Sequence, residues 1–556
     1  MNRSAGAGAV LLLALLIFTT SCEKRPEPEV SIKDELLVFL DSLETRYEQA
    51  CVGTGIANWN SYSGDGPAEL DSAKALFAQI FLDSAARSTV EQWRNKSGSL
   101  ADPALGRRLD LWRRCFIGGS IYADTGVSRL ENELQKLFVE FRFTYNGNPI
   151  TRAGVSNRIR QERNQNRRHG LWRVNSQLSA AAAEKLAELV RLRNRRAVAG
   201  GFQNYYSLSL NLQAIDEGWL VSTLNTLEEQ TRGAFASFIE ASAARLRIRQ
   251  INAWDFELSL RSAASIPDRY FPADSVFAVI HRFERTIGFP VDSLPIREVV
   301  RDIPYGGLSI AVRIPTDSRF LVNPTRGKGF YATAFHEYGH SLKAVNIDVG
   351  YPILRGYEWI PGAQCAAYEE GVAELHAEFT EDSAWIADYS ATPRHVVEEY
   401  AAGRHLGALY RVRRLLKDFF FEYEMYRNPD QDLAALERKM FEKYLLVTLP
   451  EDESPTYASS IWYVSYPCYY QNYLLSSMIA TQLQEALTDR FGRGKFTDSS
   501  VAPWMIEHLY RDGETREWAE RVRHATGKSL ETGAFLRKLS IDPERLAFQS
   551  AEKDTD

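Results

Sequence analysis

The sequence has little cysteine, and none of it is clustered. Five cysteines occur in 556 residues, and those that follow Cys22 stand far apart, at Cys51, Cys115, Cys365 and Cys468. A thiolate metal site needs closely spaced pairs such as Cys-x-x-Cys, so a cysteine-built metal site is not expected. The four could form disulfides in an oxidising compartment, but the sequence does not say which would pair.

The chain also lacks a strong excess of charge of either sign. Its 66 basic and 72 acidic side chains give a net charge of −6, which provides no general attraction to polyanions. Nucleic acid is therefore not expected as a partner. Because 45% of the residues are hydrophobic and no long low-complexity linker follows residue 31, we predict one large domain, residues 32–556.

A long apolar run is present only at the amino end. Arg3 is followed by an apolar stretch from Ala9 to Phe18 and then by small residues up to Cys22, which is the pattern of a secretory signal peptide, here residues 1–21. Cys22 resembles the lipidated first residue of a bacterial lipoprotein, and the prolines in residues 22–31 indicate a polar tether. We expect export to the periplasm or outer membrane, with attachment only through lipid on Cys22. Ordinary cleavage near the same place is the alternative.

Helical periodicity dominates the rest of the chain. Apolar residues recur at helical spacing in five long segments, residues 36–47, 130–143, 178–198, 220–246 and 396–423. Two short stretches, residues 308–314 and 319–322, have the alternation and β-branching of strands. The predicted fold class is therefore mainly α, with a small β-sheet just before residue 336.

The most specific motif is His336-Glu337-Tyr338-Gly339-His340. Residues i and i+4 lie on one face of a helix, so both imidazoles can reach one ion about 2 Å away. Glu337 is placed to act on a water as a general base without being a ligand. A core helix with two hydrogen-bonded histidines is the alternative interpretation.

A two-histidine site needs a further protein ligand and an open position for water. We choose Glu370 as the third ligand and Glu374 as the companion that orients a metal histidine, because the two lie four apart on one helix face. Glu369 would then point elsewhere, and His376 is expected to be packed or exposed rather than a ligand. Nitrogen and carboxylate ligands indicate one zinc ion, Zn²⁺. Glu374 as the ligand, or a solvated acidic stripe without metal, remains an alternative.

A third segment is rich in tyrosine. Tyr466, Tyr470 and Tyr473 share one face if the segment is helical, and three hydroxyls on one face need polar partners when they are buried. In the alternative interpretation they are core aromatics whose hydroxyls reach the surface.

The order of these motifs resembles that of the helical gluzincin peptidases, of the angiotensin-converting-enzyme and thimet-oligopeptidase type. Segments 189–194, 200–205 and 351–356 also resemble that family. The resemblance implies a two-lobed helical ellipsoid with a deep central channel and zinc at its floor. We expect a monomer whose partners are short peptide substrates.

The resemblance also implies roles for the tyrosines. Tyr473 would donate a hydrogen bond to the carbonyl oxygen as it becomes an oxyanion, and Tyr470 and Tyr466 would contact the substrate. The family has a histidine as a second donor; this chain has none in the corresponding neighbourhood, and Tyr463 is expected to replace it.

The function implied is a peptidyl-dipeptidase-like zinc peptidase in which Glu337 activates water. Two departures leave alternatives open, because no basic residue for a substrate carboxylate is evident and Asn472 stands where converting enzymes have an arginine. One alternative is a carboxypeptidase or oligoendopeptidase of the same fold. The other is a non-catalytic peptide-binding lipoprotein.

Overall fold

The computed structural model describes residues 32–67, 69–96, 102–261, 265–303, 306–358 and 360–540. The predicted signal peptide, the predicted lipidation site Cys22 and the whole of the tether therefore lie outside the described residues. Among the described residues, no helix combines the length and the apolar character needed to cross a bilayer.

Helices make up most of the described chain. They are α1 Ile32–Ser63, α2 Leu70–Phe81, α3 Ser84–Lys96, α4 Pro103–Tyr122, α5 Thr125–Glu140, α6 Arg152–Gln161, α7 Gln165–Trp172, α8 Asn175–Ala199, α9 Tyr205–Leu212, α10 Glu217–Leu246, α11 Phe256–Arg261, α12 Val276–Thr286, α13 Gly327–Val345, α14 Ala366–Phe379, α15 Ser383–Tyr389, α16 Arg394–Arg427, α17 Leu433–Leu445, α18 Trp462–Ser465, α19 Tyr470–Phe491, α20 Val501–Met505, α21 Trp518–Thr526 and α22 Gly533–Lys538. The prediction of a mainly α fold is confirmed.

Two small sheets interrupt the helices. The strands are β1 Phe143–Tyr145, β2 Asn148–Ile150, β3 Ile296–Val300, β4 Gly307–Arg313 and β5 Asp317–Val322. β1 and β2 form a hairpin; the second sheet has the order β3-β5-β4, with β3 parallel and β4 antiparallel to β5. β4 and β5 correspond to the two predicted strands, so the small sheet before residue 336 is confirmed, whereas β3 was not predicted.

Helix α5 illustrates how the sequence sets an element. Asp124 caps it by accepting the N–H groups of Gly126 and Val127, each at 2.9 Å. The predicted apolar stripe reached residue 143, but the helix ends at Glu140 and Phe143 begins β1. The helix ends earlier than predicted because the chain forms a hairpin here. Asn146 and Gly147 have φ of 52° and 77°, the conformation that closes a two-residue hairpin.

Two large apolar clusters hold the molecule together. One is built mainly from the helices after residue 127 and includes much of α13, α14 and α19. The other joins α1, α2 and α4 to the segment that follows α13. Helix α13 contributes to both, because Leu342 belongs to the first cluster and Ala344 to the second. The two lobes and central channel implied by the resemblance stay predictions.

Glycines allow three helices to approach closely beside the HExxH motif. A Cβ on Gly339 of α13 would lie 2.8 Å from Cδ2 of His376 on α14, and a Cβ on Gly371 of α14 would lie 2.7 Å from Cγ2 of Ile479 on α19. Both distances are too short for carbon–carbon contacts, so a side chain at either position would push the helices apart. Helix α14 therefore packs so closely against α13 and α19 that no side chain fits at Gly339 or Gly371.

We predict that Gly371→Ala destabilises the fold by about 1–3 kcal/mol, because overpacking a rigid interface costs that much. Gly233→Ala in α10 is the matched control: a Cβ on Gly233 would have nothing within 4 Å, so the substitution should leave stability unchanged or raise it by about 0.5–1 kcal/mol. Denaturant unfolding of both variants measures the difference. Equal midpoints for the two variants would contradict the prediction.

Candidate metal centre

Helix α13 places the two histidines of the motif side by side. Nε2 of His336 lies 3.2 Å from Nε2 of His340, and the two rings stand nearly perpendicular, at 81°. One helical turn separates the two residues, so their side chains leave the same face of α13. The two nitrogens therefore converge on one point.

Helix α14 adds a carboxylate to this pair. Oε2 of Glu370 lies 3.4 Å from Nε2 of His336, and one atom from each of His336, His340 and Glu370 lies within 4.8 Å of the others. Ligand atoms bonded to a tetrahedral zinc at about 2.0–2.2 Å are separated by about 3.3–3.5 Å. The donor set and two of its spacings therefore fit a zinc ion, and the predicted trio is brought together.

Each histidine has a carboxylate behind it. Nδ1 of His336 lies 3.5 Å from Oε2 of Glu374, which is the companion role predicted for Glu374. Nδ1 of His340 lies 3.2 Å from Oε1 of Glu358. Such outer carboxylates fix the ring orientation and strengthen a histidine as a ligand. Glu358 was not predicted, because it stands in an irregular segment between the two metal helices and carries no periodic signal.

Charge pairing sets the ionisation of this cluster. Burial lowers the pKa of His336, but the contacts with Glu370 and Glu374 outweigh burial and hold the pKa well above its usual value. The pKa of His340 is also raised: burial lowers it, but the charge of Glu358 and the hydrogen bond with Glu358 outweigh burial. Burial raises the pKa of Glu370, yet the hydrogen bond with His336 holds it below the usual value. Protons and a metal ion therefore compete for the same nitrogens, so metal binding is coupled to proton release.

Glu337 stands beside this cluster and is only 8% exposed. Burial raises its pKa, while the charges of His336 and His340 oppose the increase. A Cβ on Gly307, the first residue of β4, would lie 2.6 Å from Cγ of Glu337, so glycine is what leaves room for the carboxyl. A carboxyl with a raised pKa next to a metal site suits a group that accepts and returns a proton.

A tyrosine that was not predicted makes the direct contact with the ligand cluster. Tyr469 donates a 2.8 Å hydrogen bond from its hydroxyl to Oε1 of Glu370. Its ring contacts those of Tyr473, at 5.3 Å between centroids, and Tyr466, at 6.2 Å. Trp462 packs against all three rings. These four residues form an aromatic cluster beside Glu370.

The four predicted tyrosines lie in two environments: two of them belong to the aromatic cluster beside Glu370, and two are buried. Tyr473 is partly exposed, and burial followed by the charge of Glu370 raises its pKa, so it lies near the ligand cluster. Tyr466 belongs to the same aromatic cluster. By contrast, Tyr470 is 6% exposed and its hydroxyl lies 3.1 Å from Oγ of Ser460.

Tyr463 is also buried, at 2% exposure, and its ring packs against Phe421 and Tyr470 in the larger apolar cluster. This placement does not support a role as the second oxyanion donor. The continuous helix considered for residues 466–473 is not formed either: α18 ends at Ser465 and α19 starts at Tyr470. Pro467 disfavours helical backbone at the residue before it, which explains the break.

Glu369 and His376 point away from the metal cluster. Glu369 forms a buried ion pair with Lys343 of α13 and lies 3.6 Å from Arg521 of α21, as expected for a residue that faces elsewhere. His376 is fully buried, with Nδ1 3.0 Å from Glu284 and Nε2 2.9 Å from the Tyr510 hydroxyl. It is packed, which agrees with the expectation.

Comparison with known proteins finds one family model and similar solved structures. Residues 428–541 match the model described as carboxypeptidase Taq (M32) metallopeptidase. The structure resembles the M32 carboxypeptidase from Deinococcus radiodurans R1, with a TM-score of 0.60 and 15% identity over 90% of this chain and 98% of that one. It also resembles Trypanosoma cruzi metallocarboxypeptidase 1, with a TM-score of 0.60 and 13% identity over 91% and 98%. Comparison with curated proteins gives no match.

The chain is a metallopeptidase. The enzyme class predicted from the sequence is thereby confirmed, and the structural likeness shows the mainly α fold. The more specific resemblance to peptidyl-dipeptidases is not shown, since the family model that matches residues 428–541 is described as a carboxypeptidase. The family match covers Tyr469 and Tyr473 of the metallopeptidase, whereas its His336, His340 and Glu370 lie outside the matched residues.

We predict that Glu358→Gln weakens metal binding by the metallopeptidase about 10- to 100-fold, because loss of an outer carboxylate leaves a metal histidine less basic and less well oriented. Competition with a chromophoric chelator measures the affinity. Glu298→Gln is the matched control, since Glu298 lies 2.6 Å from Nε2 of a different histidine, His281. An unchanged affinity in Glu358→Gln would remove Glu358 from the metal centre.

Proposed function

We propose that this protein is a zinc carboxypeptidase that removes residues from the carboxyl end of short peptides. The observation that carries the proposal is the convergence of His336, His340 and Glu370 beside the buried Glu337. The description of the family model matched by residues 428–541 favours a carboxypeptidase over the peptidyl-dipeptidase that the sequence motifs imply.

His336, His340 and Glu370 would hold the zinc ion. A bound zinc ion supplies Lewis acidity, which polarises a carbonyl group and acidifies water. Glu337 then takes a proton from the attacking water and gives it to the leaving amine. Hydrolysis by water needs no covalent intermediate with the protein, so no further nucleophile is required.

Tyr469 is the proposed donor to the developing oxyanion. Its hydroxyl already lies 2.8 Å from Oε1 of Glu370, so a small rotation would move it from the ligand to a substrate oxygen beside the metal. Tyr473, the donor predicted from sequence, packs against the Tyr469 ring and lies close enough to remain a second candidate.

A carboxypeptidase must also hold the free carboxylate of its substrate. Two arginines of α16 face the site: Nη1 of Arg411 lies 3.3 Å from Oε1 of Glu374, and Arg414 is 48% exposed, with its closest ion-pair partner Asp418 at 3.7 Å. Both arginines oppose the rise in the pKa of Tyr473, which indicates that their charges reach the aromatic cluster. These two arginines are proposed to bind the carboxylate of the substrate. Arg414 is the better candidate, because its ion pair with Asp418 is longer than that of Arg411 with Glu374.

Product analysis tests the function. We predict that the zinc-loaded protein shortens a free-acid peptide one residue at a time and cleaves the C-terminally amidated peptide at least about tenfold more slowly, since a charge-assisted hydrogen bond contributes about 1.5–3 kcal/mol. Mass spectrometry follows both reactions. Release of dipeptides instead would favour the peptidyl-dipeptidase, and internal cleavage would favour the oligoendopeptidase.

Three variants sharpen this test. Arg414→Gln should erase most of the preference for the free acid, whereas Arg427→Gln, at an exposed arginine of the same helix paired with Glu424, should retain it. Glu337→Gln should bind zinc and lose turnover. Zinc binding without cleavage of any peptide by the wild-type protein would support the peptide-binding alternative.

The two neighbouring tyrosines can be separated by substitution. We predict that Tyr469→Phe lowers kcat by about 10²- to 10³-fold with little change in KM, because loss of one oxyanion donor has that effect. Tyr473→Phe should have a smaller effect on kcat. Steady-state kinetics of both variants at equal zinc content decide the assignment, which passes to Tyr473 if its variant shows the larger loss.

We also propose that the enzyme is exported and anchored by lipid on Cys22. Support comes from the sequence pattern of residues 1–22. We predict that Cys22→Ser moves the protein from the membrane fraction to the soluble fraction, because the acyl chains supply the membrane affinity. Fractionation with immunoblotting measures the distribution, and a variant that stays with the membranes would contradict lipidation.

A further inference from the structure

The turn that carries Tyr469 has an unfavourable backbone. It comprises Tyr466-Pro467-Cys468-Tyr469, between α18 and α19, and Cys468 has φ of +56°. A side chain makes this left-handed conformation unfavourable, so the surroundings must hold it in place. The turn decides where the Tyr469 hydroxyl points.

A buried carboxyl from α16 holds this turn. Oε1 of Glu422 accepts a 2.9 Å hydrogen bond from the backbone N–H of Cys468. Glu422 is fully buried, and its second oxygen, Oε2, has no hydrogen-bond partner among the described residues. Among the described residues, the hydrogen bond from the Cys468 N–H is therefore the only one that this carboxyl forms. The proposed mechanism gives Glu422 no chemical step.

Other contacts fix the chain on both sides of this bond. Arg193 of α8 donates to the carbonyl oxygens of Tyr463 and Val464, at 2.8 and 2.6 Å. Gln471 donates to the carbonyl oxygen of Cys468 and accepts a 2.7 Å hydrogen bond from the Tyr206 hydroxyl. Arg193 therefore anchors the end of α18, while Glu422 and Gln471 hold the N–H and the carbonyl group of Cys468.

We propose that Glu422 is a positioning residue for the reaction: its hydrogen bond with the Cys468 N–H fixes the Cys468 turn and so aims the Tyr469 hydroxyl at the metal centre. The inference rests on the proposed function, because Tyr469 matters only where an oxyanion develops. Within the described residues, Glu422 forms no hydrogen bond or ion pair with Glu370 or the metal histidines, so it acts through the turn.

The surroundings keep this carboxyl neutral. Burial raises the pKa of Glu422 to about 8, against the lowering effects of the Cys468 N–H and Arg193, while Asp418 raises it further. The other titratable groups around it are Tyr205, Tyr206, Tyr426, Tyr463, Tyr470 and Cys468. Arg193 is the cation among these groups, and it is already occupied by Glu131 and two carbonyl oxygens.

The hydrogen bond to Cys468 does not depend on a neutral carboxyl. The Cys468 N–H lowers the pKa of Glu422, which means that this bond is stronger when the carboxyl is ionised. The positioning role therefore rests on the acceptor oxygen and its place beside Cys468.

Kinetics of the zinc-loaded enzyme test the proposal. Glu422→Gln keeps an acceptor oxygen for the Cys468 N–H, so its kcat and KM should both stay within about twofold of wild type. Glu422→Ala should lower kcat at least about tenfold, with KM within about twofold and full zinc content. A kcat of Glu422→Gln that is at least about tenfold below wild type would overturn the proposal, even if the alanine variant fails to fold.

Glu437→Ala is the matched control. Glu437 is also a buried acid whose carboxyl accepts a backbone N–H, that of Thr456 at 2.9 Å, but it supports a different loop. This variant should keep the kcat of the wild type. In a Tyr469→Phe background, Glu422→Ala should cost nothing further in kcat, because its effect passes through Tyr469; an independent loss would contradict the assignment.

Crystal structures of the zinc-bound wild type, Glu422→Gln and Glu422→Ala give a readout that does not depend on activity. The Cys468 turn and Tyr469 should shift in Glu422→Ala and remain in place in Glu422→Gln. No shift in the alanine variant would overturn the role of Glu422. If the shift occurs while the wild type cleaves no peptide, the proposed function fails and the control of the turn stands.

Discussion

Charge neutralisation in a confined place is the constraint on which the rest of this structure depends. His336 and His340 converge with Glu370 within a few ångströms, and Glu374 and Glu358 stand directly behind the two imidazoles. So many carboxylates repel one another unless positive charge lies between them. Protons on the imidazoles supply part of that charge, and a divalent cation supplies it in a form that can also take part in chemistry.

The opposite face of α14 shows how the backbone withstands this cluster. Glu369, adjacent to Glu370, pairs with Lys343 of α13, and Arg521 bridges Glu369 and Glu514 while stacking on Tyr368. Buried pairs of this kind contribute little net stability but are costly to break on one side. They therefore fix the rotation of α14 about its axis, and that rotation decides whether Glu370 or Glu369 faces the histidines.

Periodicity and spacing predicted the parts of the site that lie within regular helices. His336 and His340, and Glu370 and Glu374, are each four residues apart, so helix geometry alone places each pair on one face. Glu358 could not be found this way, since it reaches His340 from an irregular segment whose path depends on packing across the molecule.

The aromatic segment shows the same limit more sharply. Treating residues 466–473 as one helix selected Tyr466, Tyr470 and Tyr473, but the turn at Cys468 changes the phase and brings Tyr469 to Glu370. Pro467 was the available signal for this break. The fold class was easier to predict, because long apolar stripes average over such local interruptions.

The support of α14 by Arg521 also links the metal site to a segment far from it in the sequence. Arg521 belongs to α21, and it contacts Glu369 of α14 and Glu514. A substitution in α21 would therefore reach Glu370 through the rotation of α14, without altering any residue beside the two imidazoles.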